Sequence, residues 1–467
     1  MTLILATASC AASADRAWAQ DGGIALPDVP SAEAPVVTGA PADEGEPSWR
    51  DAFPLQFRVG SVFAANGYRN PEVPLDDPGP DESARLDFRI LGHPMLNDRV
   101  GLLTNLRLRT QFSEGETYDV GNDTSLDVQE LALTARATDW LDVDIGRINV
   151  RNGVATGFNP TDWFKVDSLV TADSFDVVDR REDRLGTFVI QSILHNESGV
   201  LQTGFRPEIE GHGEDWTSDH DVIGLGLDRT NPRSAFYAKY APSTGQNLAV
   251  SVSTLLEREQ PGIGFEASRA LSDELVVFAE YFGQWRRDLA GEANARGDLN
   301  TDVAQRLGSA GGRSFQSQLA LGSTWSLPFW AVGNEDIALT AEYHFNQAGL
   351  SSSELDAWFD AGEDGDAGPG ELWATRGLAG TRQEPLTQHQ LFFRFAWTDV
   401  TENVDLGAIA FVSPQDGSAL VETTLDAYVF TDGHIRLSGF VAAGPDDSVY
   451  GSQAGDVGAR LTLSYSF

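Results

Sequence analysis

Residues 455–467, GDVGARLTLSYSF, end the chain and carry the strongest indication of its fold. Two kinds of side chain alternate along this stretch. Val457, Ala459, Leu461, Leu463, Tyr465 and Phe467 form an apolar face, and Gly458, Arg460, Thr462, Ser464 and Ser466 form a polar one. A period of two residues is typical of a β-strand whose two faces meet different surroundings. The pattern therefore predicts a terminal strand with one apolar and one polar side.

The same alternation recurs along the chain from Leu55 onward. It is clear in residues 84–90, 104–112 and 337–346, each of which has an apolar and a polar face. The predicted strands are about nine to eleven residues long, which is the length that crosses a bilayer at the tilt of a barrel. In a soluble sandwich the apolar faces would instead meet a second sheet. Strand length and recurrence favour a transmembrane barrel.

The composition agrees with this fold class. The chain has 467 residues and a mean hydropathy of −0.23, and it contains no continuous apolar stretch of the length that a membrane helix needs. Alternating faces cancel in a hydropathy average, so a low value is expected for membrane strands. The 32 basic and 70 acidic residues give a formal net charge of −38. This charge argues against a nucleic-acid partner, because such binding needs basic patches.

We predict an all-β protein, a transmembrane antiparallel up-and-down β-barrel with its polar groups facing the bore. About nineteen candidate strands can be counted between Leu55 and Phe467 by their alternation. Single-chain bacterial barrels have even strand numbers, so we expect eighteen strands, with sixteen as the alternative. A barrel of this width encloses an aqueous lumen.

The first 50 residues are predicted to lie outside the barrel. Residues 1–19 have the features of a signal peptide, with a short apolar core and a small-x-small cleavage site ending at Ala19. Residues 20–50 are rich in Pro, Ala, Gly and acidic side chains and predict a flexible leader, whereas residues 51–467 form the barrel. Cleavage would remove Cys10, the only cysteine, so the mature chain is expected to have no disulfide.

The connections between strands are predicted to differ at the two rims of the barrel. Short turns at residues 137–139, 399–403 and 432–433 fit the periplasmic side, and the Asp-Gly pair of the last favours a tight hairpin. The long polar stretches 288–312 and 351–387 fit the external side.

Residues 146–164, GRINVRNGVATGFNPTDWF, break the alternation and contain several turn-forming residues. Asp162 is placed to cap a short helical turn. One interpretation is a loop folded into the lumen, where Arg147, Arg151, Asp162 and Lys165 set a local field that selects the solute. The other is a structured external loop held by its own ion pairs.

Charged residues on the predicted inner face of the strands are further candidates for the pore lining. The basic ones are Arg85, Arg89, Arg107, Arg109 and Arg136, and the facing acids are Glu130, Asp142, Asp144, Glu280, Glu342, Asp405, Glu422 and Asp426. Pores select solutes by such charges and by their narrowest radius. The arginines could form a basic track for an anionic solute such as a uronic-acid chain, or they could simply pair with the acids.

Signals for metal binding or catalysis are poor. Asp360, Asp364, Gly365 and Glu371 match positions of a calcium-binding EF-hand loop, but Gly362 stands where an oxygen ligand is needed, so an acidic external loop is the better interpretation. The sequence contains no G-x-S-x-G or H-E-x-x-H motif. The Asp219–His220 pair resembles the Asp/His pairing of outer-membrane aspartyl-type proteases, although a solvated loop explains it more simply. We expect no enzymatic activity, catalytic residue, metal or cofactor.

The leader, the strand spacing and the final Phe467 together resemble those of Gram-negative outer-membrane porins. Among these, the strand count and the arginine-bearing turn region are most similar to the alginate-export type of barrel. The resemblance implies an outer-membrane channel for small hydrophilic solutes or a charged saccharide. A non-conducting barrel that acts as a surface binding or scaffold protein is the alternative.

The resemblance also implies partners. These are the lipid bilayer with its lipopolysaccharide, and the barrel-assembly machinery, which reads a terminal strand ending like the one at Phe467. A small hydrophilic solute is the expected cargo, and the patterning is compatible with a monomer or a homo-oligomer.

Overall fold

The computed structural model describes residues 55–68, 81–171, 173–211, 224–244, 247–299, 301–307, 312–328, 336–365, 369–453 and 455–467. The predicted signal peptide 1–19, the leader 20–50 and the Asp219–His220 pair lie outside these residues, and their assignments stay predictions.

The described chain is dominated by antiparallel strands. They are β1 Leu55–Tyr68, β2 Glu82–Gly92 with its continuation Met95–Asn97, β3 Val100–Ser113, β4 Thr124–Thr138, β5 Leu141–Ile148, β6 Thr187–Asn196, β7 Gly199–Arg206, β8 Ala235–Pro242, β9 Leu248–Glu257, β10 Gln260–Ala270, β11 Leu275–Arg286, β12 Ser314–Pro328, β13 Asp336–Asn346, β14 His389–Thr401, β15 Val404–Val412, β16 Ala419–Val429, β17 Gly433–Ala443 and β18 Gly455–Ser466.

The strands close into a barrel of eighteen. Each pairs with its sequence neighbours, and β1 pairs with both β2 and β18, so that Val59 lies opposite Phe88 and Tyr465. The separate segment Met95–Asn97 is not a further strand of the barrel, because it continues β2, which is interrupted at Pro94 and resumes against the same partner strand. Closure satisfies the backbone groups of the first and last strands, which an open sheet would leave exposed to lipid. The predicted fold class and strand count are confirmed.

Apolar side chains cover the outer face of the barrel. Leu86 is 54% exposed and Leu437 is 51% exposed, whereas Arg107 on the inner face is completely buried. No helix among the described residues combines the length and apolar character of a membrane span. A closed barrel with this outer surface spans a membrane, as the alternation predicts.

Connections differ between the rims as predicted. The strands β14 and β15 are joined by two residues, and β16 and β17 by three. Long connections at the opposite rim contain the seven α-helices of the described residues. These are α1 Val120–Asp123, α2 Val177–Glu182, α3 Leu227–Thr230, α4 Leu289–Arg296, α5 Thr301–Arg306, α6 Ser352–Glu363 and α7 Pro369–Arg382.

Helices α4 to α7 form a folded unit, here called the helical cap. Trp358 of α6 is fully buried and lies 5.1 Å from the ring of Trp373 on α7. The guanidinium of Arg376 lies 4.4 Å from the Trp373 ring and donates to the carbonyl of Val449 at 2.8 Å. Residues 360–371 lie in a long connection, as the sequence predicts, but they are partly helical rather than a loop throughout, because Asp360 lies inside α6 and Pro369 begins α7.

The expectation of a uniformly polar bore is also wrong on one side. Phe392, Phe411, Leu420 and Phe440 point inward from β14 to β17 and are buried in the same apolar cluster as the cap residue Trp358. Removing these side chains from water stabilises the packing of the cap on the wall, since burial of a large apolar side chain contributes about 1.5–3 kcal/mol.

Candidate functional site

Residues 149–186, between β5 and β6, form a loop that crosses the bore and is here called the lumen loop. Glu280 on β11 accepts a hydrogen bond from the backbone N–H of Val154 at 2.9 Å. Farther round the wall, Glu422 on β16 accepts one from the N–H of Phe175 at 2.8 Å. Because β11 and β16 lie across the barrel from β5, the loop is inside the bore. Of the two interpretations of residues 146–164, the structure therefore agrees with the loop folded into the lumen.

The base of this loop is fixed by a β-bulge in β4. Gln129 and Glu130 together occupy a register position that one residue would fill. The carboxylate of Glu130 accepts from the N–H of Asn149 at 2.9 Å, and the carbonyl of Gln129 accepts from the N–H of Gly186 at 2.7 Å. Bulges redirect side chains at barrel rims and next to sites, and this one holds both ends of the loop.

One half of the bore is filled by apolar packing. Trp163 and Phe164 of the lumen loop lie 6.0 and 5.3 Å, ring to ring, from Tyr237 on β8. Trp163 also lies 6.0 Å from Phe282 on β11. This cluster excludes water from the side of the lumen near β4 to β11, so any open path must lie on the other side.

A cavity of about 180 Å³ lies on that other side, between the lumen loop and the wall. We call it the pore cavity. Its wall is formed by β1, β2, β16, β17 and β18, and its charged lining consists of Arg58, Arg85, Asp87, Arg89, Glu422, His434, Arg436 and Arg460 from the strands and Asp173, Asp179, Arg180, Glu182 and Asp183 from the loop.

Several wall arginines pair with acids of the loop. Arg89 contacts Asp183 at 2.6 Å, and Arg436 contacts Asp179 at 2.8 Å. Arg85 contacts the carboxylate of Asp173 at 2.7 Å. These pairs tether the second half of the lumen loop to the wall and neutralise part of the wall charge.

The tethering acids respond differently to this environment. Burial alone opposes ionisation of Asp183, but Arg89 and Arg107 outweigh it and lower its pKa. The pKa of Asp173 is lowered in the same way, with burial opposed by Arg85. Burial raises the pKa of Asp179 despite the attraction of Arg436. The loop side of the cavity therefore holds two carboxylates that stay ionised well below neutral pH.

Three arginines at the pore cavity have no carboxylate within 4 Å in the described part of the chain: Arg58, Arg180 and Arg460. Arg58 donates to the Ser466 hydroxyl at 3.4 Å, Arg180 donates to the Ser174 carbonyl at 2.8 Å, and Arg460 donates to the carbonyl of Asp173. Their positive charges face the cavity without direct neutralisation.

Aromatic rings hold two of these arginines in place. The guanidinium of Arg180 lies 5.4 Å from the Phe175 ring, and that of Arg460 lies 5.4 Å from the Phe440 ring. The two rings pack edge to face at 5.1 Å. Stacking on a ring fixes a guanidinium plane while its outer N–H groups remain free to donate.

Among the residues predicted from sequence, Arg85 and Arg89 line the pore cavity. Arg107 lies beside them and contacts Asp87 at 2.7 Å. Arg109 pairs with Asp127 at 2.9 Å, away from the loop. The alternative in which inward arginines pair with acids is therefore realised for each of these four.

Other predicted residues serve the wall or the loop base. Arg136 lies 3.8 Å from Asp142 near the short-turn rim. Asp144 accepts from Gln191, and Arg147 donates to the Gly186 carbonyl, both at 2.8 Å. Arg151 is half-buried in the lumen loop, Lys165 donates to the Asn159 carbonyl at 2.7 Å, and Glu130 holds the loop base as described above.

The predicted capping role of Asp162 is wrong. Asp162 does precede the short 3-10 turn Trp163–Lys165, but its side chain makes no cap hydrogen bond. Its buried carboxylate instead accepts from Arg184. A guanidinium attracts a buried carboxylate more strongly than a backbone N–H does, so the ion pair prevails.

Arg58, Arg436 and Arg460 were not among the candidates from sequence. Arg460 occupies the polar face of the terminal strand, and Arg436 lies opposite Asp426 in the register of β16 and β17. The alternation identifies both as inward-facing. Only the position of the lumen loop distinguishes them from other inward arginines.

The helical cap rests on the lumen loop. The carbonyl of Thr381 accepts from the N–H of Asp167 at 2.8 Å, and the Gln383 amide contacts both Arg184 and the carbonyl of Lys165. Next to this contact, Glu384 pairs with Arg286 at 2.8 Å. The cap and the loop thus share one buried polar contact region.

No protein-family model matches the sequence, and no curated protein matches it. Solved structures do. OccK2 (OpdF) of Pseudomonas aeruginosa, in complex with glucuronate, aligns over 88% of this chain and 97% of its own with a TM-score of 0.50 at 9% identity. A BenF-like porin of Pseudomonas fluorescens Pf-5 aligns over 88% and 98% with a TM-score of 0.50 at 10% identity.

The chain has the fold of the Gram-negative outer-membrane porins. This confirms the predicted fold and the outer-membrane location. The barrel also aligns with Wzi of Escherichia coli, described as a carbohydrate-binding barrel involved in group 1 capsule assembly, over 88% of this chain and 84% of Wzi, at 9% identity and a TM-score of 0.47. Identities this low concern the fold alone.

Proposed function

We propose that this porin-fold barrel is a channel for small anionic solutes, with its path through the pore cavity. The observation that carries the proposal is the convergence of Arg58, Arg180 and Arg460 on one cavity without a carboxylate partner among the described residues. Charge-lined constrictions select solutes by their fields. The cavity lining includes six arginines and six carboxylates, so we assign the anion preference to these three arginines rather than to the net charge of the lining.

The lining also favours a solute that carries hydroxyl groups. Thr424, Ser438, Thr462 and Ser464 line the cavity beside the arginines. Hydroxyl side chains both donate and accept hydrogen bonds, so they suit a sugar acid better than an apolar carboxylate. The complex of OccK2 (OpdF) with glucuronate supports a solute of this class. The narrower resemblance to alginate-export barrels stays a prediction.

The non-conducting binding or scaffold barrel remains the second candidate because the bore is so extensively filled. The lumen loop occupies the side near β4 to β11, and the helical cap packs on the inner wall at β14 to β17. A steady open current separates the two candidates. We propose no enzymatic activity for either.

The channel proposal is tested in planar bilayers across a KCl gradient. The wild-type barrel is expected to show steady single-channel current with anion preference. Arg460→Ala should lower the anion-to-cation permeability ratio about fivefold, which corresponds to ~1 kcal/mol of lost attraction for an anion.

Arg136→Ala is the matched control, since it removes one inward positive charge near the short-turn rim, outside the pore cavity. It should leave the ratio nearly unchanged. Liposome swelling with glucuronate against glucose then tests the solute class. Absence of current from the wild type would support the scaffold candidate, and equal effects of both substitutions would remove the assigned path.

A further inference from the structure

Five backbone N–H groups of the lumen loop, those of residues 154–157 and 161, donate to two glutamates of the wall. Glu280 accepts from the N–H groups of Val154, Ala155 and Thr161 at 2.9, 3.1 and 2.7 Å. Glu342 accepts from those of Thr156 and Gly157 at 2.6 and 2.9 Å. Residues 154–157 thus wrap their backbone donors around two carboxylates, in the manner of an anion-binding nest.

Glycine makes this close approach feasible. Gly153 has a φ of 99°, a conformation that other residues rarely adopt, and a Cβ there would lie 2.7 Å from a carboxylate oxygen of Glu280. A Cβ on Gly157 would overlap the Phe392 ring. The loop sequence G-V-A-T-G therefore fits this wall only with glycine at both ends.

The two glutamates, on β11 and β13, are fully or almost fully buried. Neither lines the pore cavity, so a solute does not contact them. Glu342 is further held by His344 at 2.7 Å, whose ring stacks on Phe392 at 6.1 Å. Glu342 is thus held by a wall residue and by the loop, and Glu280 accepts hydrogen bonds from the loop.

We propose that Glu280 and Glu342 are positioning residues that set the width of the pore by holding residues 153–161 against the wall opposite the pore cavity. This inference rests on the proposed channel function. The loop spans the bore, so a displacement of its first half toward the centre moves the acids and arginines of its second half. The distance between Arg180 and the wall arginines then changes.

Removing the negative charge from either glutamate should release the loop. In Glu280→Gln, one amide oxygen replaces two carboxylate oxygens, and the new NH₂ group faces backbone donors. Buried N–H groups that lose their acceptors are costly, so the loop is expected to leave the wall. We expect single-channel conductance to change roughly twofold or more and the anion-to-cation ratio to fall, with larger effects in Glu280→Gln/Glu342→Gln.

Asp144→Asn is the matched control. Asp144 is also a buried inward carboxylate, but it accepts from the wall residue Gln191 and has no hydrogen bond or ion pair with a described residue of the lumen loop. Its substitution should leave conductance and ion preference as in the wild type. Heat-modifiable migration in gels and the β-signal in circular dichroism establish that each variant is a closed barrel.

Gly157→Ala provides a second route to the same displacement if the glutamate variants fail to fold. It leaves both carboxylates in place, but its new methyl group overlaps the Phe392 ring and pushes the loop away from the wall. The conductance should therefore change in the same direction as in the glutamate variants. A wild type without current overturns the channel and this inference together. A conducting wild type with folded variants of unchanged conductance and ion preference overturns this inference alone.

Discussion

Asp162 and Arg184 form the most deeply buried ion pair of the lumen loop, with side chains 0% and 2% exposed. Burial opposes ionisation of Asp162, but Arg184, Arg181 and Lys165 outweigh it and lower its pKa. Burial lowers the pKa of Lys165 itself to about 8. Charges buried at this density are stabilised only by one another, so each depends on its partners.

Removing one member of the pair should be costly. Asp162→Ala leaves Arg184 buried without its carboxylate and is expected to lower the free energy of unfolding by ~3–5 kcal/mol. Urea unfolding in detergent micelles measures this. Asp162→Ala/Arg184→Met should cost less than the sum of the two single substitutions, because it leaves no unpaired charge.

The exposed pair Arg306–Asp364 in the helical cap serves as the control. Its Asp364 side chain is 62% exposed, so Asp364→Ala should change stability by less than ~1 kcal/mol. Strictly additive losses at Asp162 and Arg184 would contradict the buried-pair explanation.

At the residue scale, the sequence predicted correctly which side chains point into the bore, because alternation alone decides this. The inward direction is confirmed for Arg85 and Arg107 by their burial, and for Arg89 by its contact with Asp183 of the lumen loop. Their separate tasks were not predictable, since Arg89 faces the pore cavity whereas Arg107 lies outside it. Both contact Asp183 of the lumen loop, so the surroundings of each arginine depend on the position of a segment that is distant in sequence.

At the scale of elements, the helical cap and the lumen loop are joined through the end of α7. Glu384 pairs with Arg286 at 2.8 Å and with Arg382 at 3.3 Å. Burial alone would raise the pKa of Glu384, but the two arginines outweigh it and lower the pKa from 4.5 to about 2. The contact between cap and wall therefore depends on an ionised carboxylate.

Acid should loosen the cap in a defined range. A carboxyl whose folded pKa lies below its unfolded value stabilises the folded state above the unfolded pKa, and this contribution is lost as pH falls through the folded pKa. For Glu384 the contribution is complete above about pH 4.5 and is lost toward pH 2. Pepsin cleavage of the cap, normalised to a denatured chain, should rise as pH falls through this range.

Glu384→Gln removes this titrating group and should make the cap cleavable already at pH 4.5, with a flatter pH profile below it. Glu354→Gln is a control in the same cap, because Glu354 belongs to the capping box at Ser351 rather than to the contact with Arg286. Identical pH profiles for wild type and Glu384→Gln would show that another group loosens the cap.

The helices of the cap were missed because the sequence of this loop is rich in glycine and acids, which is also typical of a solvated loop. A signal was present in Ser351 and Glu354, which have the S-x-x-E spacing of a capping box. A second signal was the run Leu391-Phe392-Phe393, where apolar residues occupy both faces of β14. Such a run indicates that something apolar packs inside the barrel.

At the scale of the whole molecule, one seam closes the barrel. Phe467 donates to the carbonyl of Phe57 at 2.9 Å and accepts from its N–H at 3.1 Å. The two rings are stacked at 6.0 Å. The last residue of the chain is thus hydrogen-bonded to the first strand at the short-turn rim, where closure occurs.

Deletion of Phe467 should impair closure more than folding of the individual hairpins. Two backbone hydrogen bonds and one ring contact are lost at the rim, and the terminal segment expected to be read by the assembly machinery is altered. We expect a large decrease in heat-modifiable barrel recovered from outer membranes. Phe467→Tyr keeps the aromatic ring and the backbone bonds and should assemble nearly as the wild type; equal recovery of the deletion variant would contradict this role.

The sequence by itself determined the barrel. Period-two alternation places apolar side chains toward lipid and polar ones toward the bore, and this local rule needs no knowledge of distant residues. It also indicated that residues 146–164 are not a regular strand, because a strand ends where the alternation breaks.

Only the tertiary structure decided what occupies the bore. The path of the lumen loop follows from contacts with Glu280, Glu342 and Glu422, which lie more than 100 residues away in sequence. The helical cap likewise packs on inward apolar side chains of four strands. Such contacts arise when closure brings strands face to face, so alternation along one strand carries no information about them.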